Sequence, residues 1–351
     1  MALTPRTETR ERVVPFTAGD GLPLKLTNVR GDLDPTRGPV LLVHGAGVRG
    51  NIFRAPVATT VVDALVADGW DVWLEDWRAS IDLPPRDWTL DQAALYDHPA
   101  AVRAVVADTG ASRVKAIIHC QGSTSFMMSA VAGLVPEVDT VVANAVTLHT
   151  VVPSWSALKL RYAVPVVNRF LSSLDPSWGR QPPRELVPKL LTGVVRAVHH
   201  ECDNTVCKLV SFTYGSGFPA LWRHENLDTA THDEFIPNEF GKVPLSFFRQ
   251  IARCVRRGHL VGYEDLPGLP SDYTAQEPRT DARFVFLAGE RNQCFLPEGQ
   301  RRTHEYFARR RPGFHALHVL PRYSHLDVFL GRDAARDVFP LILSELEVTA
   351  R

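Results

Sequence analysis

Val114-Lys-Ala-Ile-Ile-His-Cys-Gln-Gly-Ser-Thr124 is an apolar strand that runs into a cysteine and then, without a spacer, into a helix carrying Phe126, Met127, Met128, Val131 and Leu134. A strand that turns so sharply lifts the residue at the turn clear of the sheet. Cys120 is that residue. Gly122, two positions on, leaves room for two backbones to cross. The helix N-terminus puts partial positive charge beside the sulfur, which favours thiolate over thiol. One feature is unusual. Such a turn prefers a small residue two positions before the nucleophile, and this chain has Ile118. A small residue opposite it on the neighbouring strand would relieve the crowding.

Outward from this turn the chain alternates. Pro39 to Val43 is a short continuous apolar run, as in a strand buried on both faces. A helix over 56–68, a strand over 70–74 and a helix over 91–109 follow it, and the elbow leads on to a strand over 138–146. Two short strands around Gly19-Asp20-Gly21 precede it. The pattern predicts an α/β fold with a mostly parallel sheet and helices on both faces. It breaks at 150–280, which is rich in Pro, Trp and His and helical in pieces (154–172, 184–199, 243–257). It resumes with strands over 284–288 and 315–320 and helices over 297–310 and 334–346. Residues 1–149 and 281–351 are therefore expected to form one core, and 150–280 a cap inserted over the site. The cap's Trp155, Tyr162, Phe170, Trp178, Phe218 and Trp222 suit a bulky apolar substrate.

Two further turns complete a candidate site. Val43-His-Gly-Ala-Gly47 follows a buried strand, and a His-Gly-X-Gly turn there aims backbone N–H groups at a substrate oxygen. Ala46 and Gln121 N–H are assigned as an oxyanion hole, with His44, Gly45 and Arg78 as substrate-binding candidates. Arg78 has a competing role in an ion pair. Pro321-Arg-Tyr-Ser-His-Leu-Asp327 places His325 after the last strand, in the chain order nucleophile, acid, histidine. The loop Gly289-Glu-Arg-Asn-Gln-Cys294 should supply the residue that orients the ring. Asn292 stands where an Asp is usual, Glu290 is the alternative, and Asp327 comes third. Asn is tolerable if Cys120 and His325 rest as thiolate and imidazolium, because the third residue then only orients the ring. A rival reading exists: Gly45-Ala-Gly-Val-Arg-Gly50 fits a dinucleotide fingerprint with Glu75 or Asp76 as the ribose acid. It leaves the Cys120 turn unexplained, and a fingerprint of that kind normally opens its domain.

These elements resemble the α/β-hydrolase fold. The stretches HGAGVRGNIFRAP, WLEDWRASIDLP, IIHCQGST, HENLDTATHDEF and YSHLDVFLGRDAARDVFP resemble the α/β-hydrolases encoded beside, or fused to, GMC-type cholesterol oxidases. That resemblance implies the fold and the site residues Cys120, His325 and the Gly289–Asn292 loop, without a steroid substrate. More broadly the chain resembles α/β-hydrolases with a cysteine nucleophile: dienelactone hydrolases, polyhydroxyalkanoate synthases and Dieckmann cyclases. The expected chemistry is hydrolysis of an ester, lactone or thioester through an acyl-cysteine. Acyl transfer or cyclisation is the alternative within catalysis. A binding module on the same fold is the alternative outside it, and Ile118 and Asn292 are its support.

Composition narrows the partners. The 351 residues carry 39 Lys plus Arg against 39 Asp plus Glu, so no net charge draws the chain to nucleic acid or anionic lipid. No stretch has the length of a membrane span or a signal peptide. Five cysteines, an odd number, indicate reduced thiols and a cytoplasmic setting. His199, His200, Cys202 and Cys207 crowd one stretch, but their spacing fits no common zinc pattern, and a structural cluster is expected. No cofactor or metal is expected. The partner is a small acyl compound, and a homo-oligomer is compatible with the composition.

Overall fold

A computed structural model describes residues 9–199, 202–216 and 219–348. The described residues form ten strands: β1 (Arg10–Thr17), β2 (Pro23–Arg30), β3 (Pro39–Val43), β4 (Asp71–Asp76), β5 (Val114–His119), β6 (Val138–Asn144), β7 (Ser173–Leu174), β8 (Val243–Pro244), β9 (Arg283–Gly289) and β10 (Ala316–Leu320). Eight of them form one sheet in the order β1-β2-β4-β3-β5-β6-β9-β10, and β7 pairs only with β8. From β4 to β10 every pairing is parallel, whereas β1 and β2 are an antiparallel hairpin on the β4 edge. All five residues of β3 are buried, as a continuous apolar run in a two-sided sheet should be, and all six of β4 are buried too, its three acids included.

The chain leaves β3 in one direction to make β4, then returns to the other side of β3 to make β5. Where the strand order reverses in this way, a crevice opens at the carboxyl ends of the two central strands. The Gly45–Gly47 turn follows β3 and Cys120 follows β5, so both fall at that crevice.

Several helix boundaries differ from expectation for local reasons. The helix expected from 56 begins at Val61, because Thr60 caps it and exchanges hydrogen bonds with Asp63 in a capping box. The last helix is split into Ala334–Asp337 and Phe339–Glu347. Val338 leaves helical geometry at φ −120°, and Pro340, with no N–H to continue the ladder, falls in the first turn of the second piece. Within 150–280 the helices Leu186–Val198 and Leu245–Arg257 appear where expected, and Thr205–Tyr214 is an additional one. This segment adds no strand to the eight-stranded sheet.

Candidate active site

Cys120 sits at φ +54°, a left-handed conformation that a residue with a side chain rarely adopts. Strain of this kind costs about 1–3 kcal/mol and persists where the surroundings hold it. Here the crossing of the two turns holds it. A Cβ on Gly122 would lie 2.1 Å from the His44 carbonyl oxygen, and one on Gly45 would lie 2.9 Å from Cys120 Cβ. Both glycines are therefore required by close approach. Ile118 fits because its register partner on β6 is Ala143, the small neighbour that the crowding needs.

Backbone N–H groups of Gln121 and Ala46 both point at the Cys120 sulfur, so the two assigned donors converge on one point. Tyr214 supports the turn by donating its hydroxyl to the Ala46 carbonyl at 3.2 Å. Gly47, at φ +71°, has no room for a side chain beside that hydroxyl.

His325 is fully buried, and its ring nitrogens, the Cys120 sulfur and those of His119 include donor atoms that all lie within 4.8 Å of one another. His119 is a site residue that the sequence reading missed. Its position directly before Cys120 was the available signal. Its ring lies 4.8 Å from that of His325, centroid to centroid, and its Nδ1 accepts from Asn144 Nδ2 at 2.9 Å. A soft metal ion would find three donors here, but no carboxylate joins them.

Asn292 lies 3.1 Å from His325 Nδ1. Its Oδ1 accepts from the backbone N–H groups of Cys294 at 2.9 Å and Phe295 at 3.0 Å, so the amide nitrogen is the atom that faces the ring. His325 Nδ1 is then an acceptor, and the neutral ring carries its proton on Nε2. Glu290 is exposed on the loop. Asp327 is committed elsewhere: it accepts from the N–H groups of Ser324 and Arg223 and from Asn226. Of the three candidates, Asn292 is the one set against the ring.

Burial opposes the thiolate–imidazolium pair that would make Asn292 tolerable. Burial pushes the Cys120 thiol up to about 12, against the lowering effect of the Gln121 and Ala46 amides. Burial also drives His325 down to about 3. A thiolate and an imidazolium would each lose their water here, and the helix N-terminus does not make up the difference. Both shifts run toward a neutral thiol beside a neutral imidazole.

Two substrate-binding candidates are also corrected. Arg78 is buried in an ion pair with Asp97 at 2.6 Å and Asp20 at 3.0 Å, so its charge is already matched. His44 is fully buried, with Nδ1 2.6 Å from the Gly45 carbonyl and Nε2 3.5 Å from Asp76. Its role is to brace the turn. Glu75, a candidate ribose acid, is buried against His98 at 2.9 Å, and Asp76 accepts from Gly50 N–H. Neither acid is open to a dinucleotide.

A slim pocket of about 60 Å³ leads to Cys120. Its walls are mostly apolar and include Leu160, Val164, Phe212, Phe248, Ile251 and Phe295, almost all from the 150–280 segment. The described aromatic residues expected there do not line it. Trp155 and Phe170 are 69% and 66% exposed on the outer face, Trp222 is packed in the core, and Phe218 lies outside the described residues. The charged side chain in the lining is Lys159, whose ammonium donates to the Phe212 and Gly215 carbonyls and is lowered to about 8 by burial.

No protein-family model matches the chain. A stretch of 109 residues, 28% of this chain, is 28% identical to sterol esterase 2 of Saccharomyces cerevisiae, but it spans 20% of that enzyme. Among solved structures, a thermophilic esterase from Thermogutta terrifontis superposes with TM-score 0.56 at 15% identity, over 95% of this chain and 98% of that one. The Pyrococcus furiosus esterase Pf2001 superposes with TM-score 0.54 at 12% identity, covering 97% and 94%. A lipase in its open form does so with TM-score 0.59 at 13% identity, covering 97% and 98%. Among the described residues no helix is long and apolar enough to cross a membrane. The sheet order, the strained turn after β5 and these full-length superpositions establish that the chain has the α/β-hydrolase fold.

Proposed function

We propose that this protein is an acyl hydrolase that works through an acyl-cysteine on Cys120, with residues 150–280 as its cap. The observation that carries the reading is the Cys120 sulfur at φ +54°, met by the Ala46 and Gln121 amides at the inner end of an apolar pocket. Cys120 attacks the carbonyl carbon of an ester, lactone or thioester, and the carbonyl oxygen takes up the two N–H groups. The thiol proton passes to His325 Nε2 and then to the leaving group. Water, deprotonated by the same nitrogen, releases the acid.

For His325 to accept that proton its own must stand on Nδ1, which requires an oxygen from Asn292 facing the ring. Turning the amide surrenders the two backbone hydrogen bonds to Oδ1. The wild-type chain therefore enters its reactive form at a cost. The partial match to a sterol esterase suits an apolar ester. The pocket's volume favours a slender acyl chain over a bulky one unless the cap opens.

Intact-mass spectrometry after mixing with ester and thioester panels tests the reading. A mass gain equal to the acyl group, mapped to Cys120 and lost in Cys120→Ala, is expected. Absence of any adduct across the panels would favour the binding module. The second reading, acyl transfer or cyclisation, draws on the enclosure of the site: Cys120 is 7% exposed and its pocket is lined by apolar groups that exclude water. An adduct that persists in water and is discharged by an amine or alcohol would select it.

A further inference from the structure

Cys202, Cys207, His224 and His232 bring one sulfur or nitrogen atom each to within 4.8 Å of all the others. The sequence pairs the cysteines with His199 and His200. In the fold the two imidazoles that group with the cysteines come from 224–232, and His200 lies outside the described residues. We propose that these four side chains bind one Zn²⁺, and that the ion clamps together the strips of chain that roof Cys120.

The donor set is two thiols and two imidazoles, the set that zinc takes in tetrahedral structural sites. Bond lengths near 2.3 Å to sulfur and 2.05 Å to nitrogen give a sulfur–nitrogen edge of ~3.6 Å in a tetrahedron. Cys207 Sγ and His224 Nε2 are 3.5 Å apart. The two imidazole rings stand at 89° with centroids 4.8 Å apart, so both can direct a nitrogen at a common centre. His232 is oriented as a ligand would be. Its Nδ1 is 2.6 Å from the Asp233 carboxylate, while its Nε2 is buried, faces Cys202 and makes no regular hydrogen bond. A carboxylate behind a ligating imidazole fixes its tautomer and raises its basicity. Asn204 joins the parts: its side-chain oxygen caps the helix Thr205–Tyr214 and its amide nitrogen donates to the His232 carbonyl at 2.8 Å. Binding releases the two thiol protons, and the two thiolates balance the ion's charge.

The placement gives the ion a mechanical role. The helix that starts beside Cys207 ends at Tyr214, whose hydroxyl holds the Ala46 turn. Just before His224, the Leu221 carbonyl accepts from the N–H groups of His325 and Leu326, and Arg223 N–H donates to Asp327. The helical stretch containing His232 continues to Glu239, which pairs with Arg49 at 2.9 Å. Each ligand thus sits on a strip that also touches the oxyanion turn, Arg49 just beyond it, or the His325 loop.

Metal analysis by plasma mass spectrometry on the full-length protein, purified without chelator, tests this. About one zinc per chain is expected in the wild type and in Cys120→Ala, and less than a tenth of that in Cys202→Ser and His232→Ala. Cobalt substitution should give tetrahedral d–d bands with thiolate charge transfer. If those variants do not fold, thiol mapping on the wild type serves. Zinc should shield Cys202 and Cys207 from alkylation, and a strong chelator should expose both and lower Tm. The proposal fails if zinc-free protein keeps its Tm when Zn²⁺ is added, if Cys202 and Cys207 are joined in a disulfide, or if the zinc is lost in Cys120→Ala and kept in Cys202→Ser.

Discussion

Asn292→Asp should make the enzyme faster. In the wild type the Asn292 oxygen serves two backbone N–H groups, at 2.9 and 3.0 Å, and its nitrogen faces His325 Nδ1 at 3.1 Å. Reaching the base form means turning the amide and giving up both bonds, each worth about 1 kcal/mol net. That places roughly 2 kcal/mol in the barrier, or about a 30-fold loss of rate. An aspartate has two oxygens. One keeps the two backbone donors while the other accepts from Nδ1–H, so the ring rests with Nε2 ready for the thiol proton. Stopped-flow acylation by an activated ester should then rise about 30-fold. Nitrogen NMR of the ring should show its proton moving from Nε2 to Nδ1, and the imidazole pKa should climb from its buried value. An unchanged or slower acylation rate, with the proton already on Nδ1 in the wild type, would refute the reasoning.

Further outcomes follow from the same geometry. The thiol lies near 12 and His325 near 3, so alkylation of Cys120 by iodoacetamide should rise about tenfold per pH unit from pH 6 to 9; a plateau in that range would indicate a preformed ion pair. A Cβ on Gly289 would stand 1.8 Å from the Ser324 carbonyl oxygen, so Gly289→Ala should displace the His325 loop, cost about 3 kcal/mol or somewhat more in urea unfolding and abolish most activity. Within the apolar pocket each added methylene of the acyl chain should raise kcat/KM about fourfold, from about 0.8 kcal/mol per CH₂, until the chain fills the pocket. Val164→Trp, which places an indole in that lining, should end the rise at a shorter chain, read from a series of straight-chain esters.

Much of the site could be read from the sequence because its parts are local. A buried strand, a cysteine and a glycine two residues on form a turn whose sterics involve few neighbours, and Gly122 against the His44 carbonyl is the same constraint seen in three dimensions. The same holds for the His-Gly-Ala-Gly turn and for strands β3 and β5, whose apolar runs report burial on both faces. Charges and ligands were harder to place. Arg78 and Asp97 are 19 residues apart, and only packing showed that the guanidinium is already paired. The protonation of Cys120 and His325 depends on how much water the surrounding chain removes, which no local pattern records. The cysteines at 202 and 207 were visible, but their imidazole partners arrive from 224 and 232 on a separate piece of backbone. Short-range sterics and periodicity are written along the chain. Desolvation, charge pairing and convergence of distant donors arise only when the chain has folded, because they depend on which surfaces meet.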